Sequence, residues 1–380
     1  MTKDNLIPEK KEEVKEKDFF ITSSNEIEAP KFKKPEKEKK PFKNQLIKVF
    51  KYIGLGFLEP LILLISGENP SAQFKKIWNG LGVPVLAFVL FIVIWHGAAI
   101  SLNTDLGELP TPPKVWEQTK VLWKDHVNER KKQTAFYERQ YKRIEKIKKA
   151  NPNKEMKVIA YTGKPTFIDQ IFTSLKTVFA GFLLASILAL PIGIFMGLSK
   201  NLRNAINPLI QILKPVSPVV WLLIVTMVVS AVIKSNDLWL PKAFIISFIS
   251  VALCSMWPTL VNTSMGVSSV DKDFINVARV LNLNIFQKIF KVILPASLPL
   301  IFTGLRISLS IAWMVLIAIE LLAQNPGLGK FVWDEFQNGS SNSNAKIIVA
   351  LFVIGFIGYI LDRLMVMIQK MVTFNKEGIA

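Results

Sequence analysis

At 380 residues, half of them hydrophobic, with 47 Lys or Arg against 29 acids and one cysteine, the chain is either a large soluble protein or a polytopic membrane one. Several uninterrupted apolar stretches of about 18 to 25 residues, divided by charged loops, decide for the membrane. The net charge of +18 lies largely in the N-terminal segment and one loop beside such stretches, which favours a membrane surface and excludes nucleic acid as the partner. Cys254 falls inside an apolar run, so a disulfide framework, a CxxC pair and a cysteine metal cluster are excluded.

Residues 1–44 are rich in Lys, Glu, Pro and Ser and poor in aromatics, a composition that predicts a disordered basic tail. Nine lysines against Glu36 and Glu38 between Lys31 and Lys51 lead into a mixed apolar stretch broken by Pro60 and Gly67. Residues 45–80 therefore read as an interfacial amphipathic segment on the anionic cytoplasmic leaflet. A first span follows over 83–102, with the lysine-rich flank holding the N-terminus inside. Residues 103–167 form an extracytoplasmic insert. It opens on the stiff turn Leu109-Pro110-Thr111-Pro112-Pro113 and continues as a charged helix with Tyr137, Tyr141 and Ile144 on one face. Fifteen Lys or Arg and six acids between Lys114 and Lys164 suit a solvated helix, a contact with a binding protein, or a basic collar that gathers anions.

The second span, 168–198, carries Gly181, Ala185, Ala189, Gly193 and Gly197 four apart, a stripe that lets a neighbouring helix approach closely. Pro208, Pro215 and Pro218 then break the entry to a third span ending near Ile233. Lys214 in this entry reads first as a snorkelling cation and second as an anion contact, with Ser217 and Trp221 as candidate pore or gate residues. The fourth span covers 243–264, with a kink expected at Pro258. The fifth, 300–322, presents Gly304, Ser308 and Ala312 on a face suited to line a narrow path. Arg306 near its inner end is a possible anion contact; Glu320 near its outer end reads as a gate or helix-pairing residue, because a fixed negative charge would repel an anion. A sixth span covers 347–369 and returns the C-terminus to the cytoplasm.

Between the fourth and fifth spans, 265–299 is patterned like two packed helices. Ser268 and Asp271 signal a helix start, and Val270, Phe274, Val277 and Leu281 share a face. After Asn282-Leu283-Asn284, a capping box of Asn284 and Gln287 starts a second helix that Pro295 is expected to end. A structured loop of this length suggests a docking surface for another protein.

This loop resembles the cytoplasmic signature of ABC importer permeases, EAA-x3-G-x9-I-x-L-P, which falls on Asn276-Val277-Ala278, Asn282 and Val292-Ile293-Leu294-Pro295. Asn276, Val277 and Asn282 replace the signature's acid, alanine and glycine. Pro295-Ala-x-Leu-Pro-x-Ile-Phe-Thr-Gly-Leu-Arg306 is similar to the nitrate, bicarbonate and sulfonate importer permeases, and the similarity runs from about Phe167 to Phe374. The resemblance implies an all-α polytopic protein of the type I importer kind, with about six transmembrane helices and 168–372 as its permease core. It implies ATPase subunits contacted by Asn276, Ala278, Arg279, Leu281, Asn282, Leu294 and Pro295, an extracytoplasmic solute-binding protein docking near 323–344, and a second permease copy. It implies a bacterial inner membrane and nitrate as leading cargo, with bicarbonate, cyanate and an alkanesulfonate such as taurine open.

The pattern G-x4-G-K-[ST] is nowhere in the chain, so ATP is expected on a partner subunit, with no cofactor or metal held here and no catalytic residues. An ion-coupled carrier or channel, and an anchoring subunit without transport, are the readings from other classes.

Overall fold

The computed structural model describes residues 59–65, 70–101, 103–104, 107–150, 157–234 and 240–373. The tail expected over 1–44 lies outside the described residues. Among those described, everything regular is helical except β1 (Asn103–Thr104) and β2 (Gly107–Glu108), two residues each and paired antiparallel. Two short helices, α1 (Glu59–Ile65) and α2 (Pro70–Ile77), precede a π turn over Trp78–Gly82 and then α3, Val83–Ser101. The first membrane-length helix thus runs from Gln73 to Ser101, ten residues ahead of the start the sequence suggests at Val83. The π turn keeps the helix continuous past Gly80 and Gly82, with the Val83 N–H donating to the Trp78 carbonyl.

Three helices form the centre: α5 (Phe167–Leu198), α8 (Lys242–Ser268) and α11 (Leu294–Ala323). The stripe on α5 is where α8 lies. A Cβ on Gly193 would stand 2.7 Å from Thr263 Cβ and 2.8 Å from the Leu260 carbonyl oxygen, a backbone approach that a larger residue forbids. On its other side α8 packs against the small face of α11. Gly304 abuts the Pro258 carbonyl, the Ser308 hydroxyl accepts from Thr259 N–H at 3.1 Å and from Thr259 Oγ1–H at 2.7 Å, and Ala312 is fully buried. Gly304, Ser308 and Ala312 therefore close a helix–helix contact within this chain instead of standing open on a path. α8 continues as helix through Pro258.

Between α5 and α8 the chain forms α6 (Lys200–Leu213) and α7 (Pro218–Val232), bent 101° at the Lys214–Ser217 break. Among the described residues, five helices are long and apolar enough to cross a membrane, six if this bent pair counts as one crossing. Ser199 both ends α5 and caps α6, and Arg203 fastens the corner by donating to the last carbonyls of α5, at Met196 and Gly197.

The final helix, α13 (Ser341–Val372), is tied to α11 by the Trp313 indole N–H, which donates to the Ile354 carbonyl at 3.0 Å. Against α13 packs α4 (Pro112–Ala150), 39 residues long, whose first part buries Val115 and Leu122 in the core with Ala345 and Val349. Its remainder projects beyond α5, and residues 157–166 return along it. The Gln140 amide holds both the N–H and the carbonyl of Ile159 at 3.0 Å, the Tyr161 hydroxyl donates to Glu129 at 2.7 Å, and Arg130 meets Asp169 at 2.6 Å where α5 begins. The Tyr161 hydrogen bond holds the Glu129 carboxyl below its usual range, and the same bond raises the Tyr161 phenol.

Candidate functional site

The loop joining α8 to α11 folds as α9 (Lys272–Val280) and α10 (Ile285–Lys288). The sequence starts the first of these at Ser268; in the structure Ser268 is the last residue of α8, its hydroxyl turned back to the Met265 carbonyl. Asp271 takes the cap, accepting the Asp273 N–H at 3.1 Å, because α8 runs on until the Asp271 carboxylate offers a better acceptor than a serine already spent on its own helix.

The end of α9 is a complete Schellman turn. Leu283 N–H donates to the Ala278 carbonyl, Asn282 N–H donates to the Arg279 carbonyl, and Asn282 itself sits at φ 50°. The asparagine that stands in place of the signature glycine thus takes the left-handed conformation that glycine would take, as asparagine tolerates better than other side chains. The Asn284–Gln287 capping box forms in both directions, at 2.8 and 3.2 Å. Pro295 does not end the second helix. A π turn over Ile289–Ile293 widens the hydrogen-bond pattern just ahead of it, so the missing N–H is accommodated and Ile285–Ala323 is one 39-residue rod.

Burial divides the loop into an anchor and a face. Ala278 and Ile293 are sealed inside, and Leu294 is half-buried. Phe274, Val277, Val280 and Leu281 on α9, with Ile285, Phe286 and Phe290 beyond the turn, stay exposed; Val280 is 81% exposed and Phe286 69%. Asn276, Arg279, Asn282 and Pro295 are exposed beside them. Seven large apolar side chains at a helix-turn-helix, held in place by caps at each end, form a patch of the kind that marks a protein contact.

The other candidate residues lie in two places. At the far end of the rod, Glu320 is 1% exposed; its carboxylate accepts from Ser174 Oγ at 2.8 Å and from Gly329 N–H at 3.0 Å, while Ser174 accepts Leu328 N–H at 2.9 Å. Glu320 therefore caps the start of α12 (Leu328–Asn338) and joins α11, α12 and α5. Gly327, at φ 153°, leaves room for it, since a Cβ there would lie 2.1 Å from the carboxylate carbon. Arg306 forks onto both oxygens of Asp362 on α13, with Nη2 at 2.9 Å from Oδ2. Neither Ser174 nor Asp362 is singled out by sequence; the only signal is a polar residue of the right kind within an otherwise apolar span.

Lys214, Ser217 and Trp221 gather at the 101° break. Lys214 ends α6 and is exposed, Ser217 caps α7, and Trp221 is half-buried against the packing of α5, α6 and α8. The indole N–H groups of Trp221 and of Trp257, which belong to the same apolar cluster, have no hydrogen-bond partner.

Residues 189–373 match the family described as binding-protein-dependent transport system inner membrane component. The chain is 31% identical over 289 residues to the nitrate import permease protein NrtB of Synechocystis sp., covering 76% of this chain and 88% of that one. It is 37% identical over 311 residues to the bicarbonate transport system permease protein CmpB of the same organism, covering 81% and 94%. A chain of the MetNI methionine ABC transporter in an inward-facing conformation aligns at TM-score 0.47 and 13% identity, over 54% of this chain and 95% of that one. The chain belongs to the ABC importer permeases, in the group that holds the nitrate and bicarbonate permeases.

Proposed function

We propose that this permease carries nitrate, that two copies form the pathway, and that α9 and α10 are seated in ATPase subunits that drive it from the cytoplasm. The observation that carries the reading is the exposed apolar face from Phe274 to Phe290, fixed by the Schellman turn and the capping box. Apolar patches of this kind mark protein or membrane contacts, and a helix-turn-helix capped at both ends favours a protein. The family supplies ATPase and binding-protein partners, and the chain itself has no phosphate cradle.

The rod gives the mechanism. A displacement of α10 is transmitted along Ile285–Ala323, which is about 58 Å of helix, to Glu320 and the start of α12. Closing of the ATPases would thereby shift the far end against α5 and change which side of the membrane the pathway faces. Lys214 stands exposed at the α6–α7 break, and it is the donor we assign to passing anion. Arg306 is satisfied by Asp362 and is assigned no cargo contact.

Nitrate uptake into vesicles holding the permease and its ATPase, driven by ATP and abolished by vanadate, is the expected result. Uptake that persists without ATP hydrolysis would make the protein a carrier or channel. Bicarbonate is the second reading, favoured by the 37% identity over 81% of the chain; competition of labelled nitrate by excess bicarbonate separates the two.

A further inference from the structure

The first long helix barely touches the rest of the molecule. Only 6% of the most apolar window of Gln73–Ser101 is buried, against 50% for α8. Its lateral contact with the bundle is made by Trp95, whose ring lies 5.7 Å from that of Phe352 on α13. Between the two helices, beneath the start of α4, opens a groove of about 800 Å³. On one wall Phe88, Ile92 and Trp95 recur along α3; the other wall is Phe352, Gly355 and Phe356 of α13. A gap between two membrane-length helices, walled by apolar side chains and open at the side, is filled by hydrocarbon, since water would gain no hydrogen bonds there.

The rim of the groove is different. Trp116 of α4 lines it and is 64% exposed, Lys120 sits over the Trp116 ring at 5.7 Å, and Trp123 and Lys124 continue the same face. Tryptophans and lysines on one exposed face of a helix that lines the groove are suited to the level of lipid headgroups, where the indole is half in hydrocarbon and the ammonium can meet a phosphate. Gly355 adds a second mark, since a Cβ at that position would meet nothing within 4 Å, so the wall is recessed where a chain would lie.

We propose that this groove is a binding site for one anionic phospholipid, its acyl chain lying between α3 and α13 and its phosphate against Lys120 and Lys124. Bound there, the lipid joins the outlying helix to the permease core.

Full-length permease extracted from membranes in mild detergent, offered phosphatidylglycerol or phosphatidylcholine and analysed by native mass spectrometry, is expected to retain one phosphatidylglycerol per protomer. Gly355→Leu puts a side chain into the space left open at that position and lowers retention about tenfold, the effect of excluding about two methylenes, with an unchanged melting temperature in lipid-free detergent. Lys120→Glu with Lys124→Glu removes the preference for phosphatidylglycerol. Equal retention by wild type and Gly355→Leu overturns the proposal. So do permease–permease adducts as the main product from a photoreactive residue at position 352, because a second copy would then fill the groove.

Discussion

Asn282 shows how a single side chain carries a local fold. Its φ of 50° is required by the turn, and asparagine meets that requirement at a modest cost. Asn282→Gly should leave the melting temperature unchanged or slightly raised, while Asn282→Val should destabilise by about 1–2 kcal/mol and weaken ATPase binding in pull-down. Glu320 is the opposite case, a buried carboxylate satisfied by Ser174 and Gly329. Glu320→Ala should cost about 1–3 kcal/mol in a thermal unfolding measurement, because it leaves the Gly329 N–H and the Ser174 hydroxyl without their acceptor. On the projecting helix, the depressed Glu129 carboxyl stabilises the return of residues 157–166 fully above its ordinary value of 4.5, and that stabilisation is lost as pH falls through the depressed value. The raised Tyr161 phenol adds a contribution that is complete below its ordinary value of 10.0 and lost as pH rises through the raised one. The protection of the Ile159 and Tyr161 amides, as exchange rates relative to the intrinsic base-catalysed rate at each pH, should therefore be greatest between these limits and fall on either side.

The elements of this permease differ in how openly the sequence states them. The stripe on α5 announces a close helix contact because five small residues at a spacing of four have few other uses among apolar neighbours, and the contact is there with α8. Gly193→Leu should separate the two helices, lowering the amount of folded permease recovered from membranes, with a cost of about 1–3 kcal/mol or more. The small face of α11 has the same look, and periodicity alone cannot tell a packing face from a lining one; Ser308 is decided by its partner Thr259, which is 49 residues away. The ends of α9 and α10 were half legible. Asn284 and Gln287 specify a cap by their own spacing, whereas the shift from Ser268 to Asp271 depends on how far α8 continues, and the passage of helix through Pro295 depends on a widened turn that composition does not reveal. Phe286→Asp should leave folding intact, since that side chain is 69% exposed, and abolish ATP-driven uptake by removing apolar contact with the ATPase.

At the scale of the whole molecule, two ends are joined by one rod, with the exposed apolar loop at Ile285 and the Glu320 junction at the other extreme. Spectroscopic labels near Phe290 and Phe336 should therefore change their distances to α5 together when nucleotide is added to the complete importer. Independent changes would break the link between coupling and gating. The ion pairs Arg306–Asp362 and Lys346–Glu335 hold α13 to its neighbours at both levels, so α13 is expected to follow α11.

The 101° bend leaves α7 shorter than the depth of a bilayer. α7 has 15 residues and is about 22 Å long, while the hydrocarbon layer is about 30 Å. A helix of that length crosses such a layer only where the lipid beside it is drawn thin or where protein makes up the difference. A charged solute faces an electrical barrier set by that depth, so thinning beside this 15-residue helix would lower the cost of crossing there.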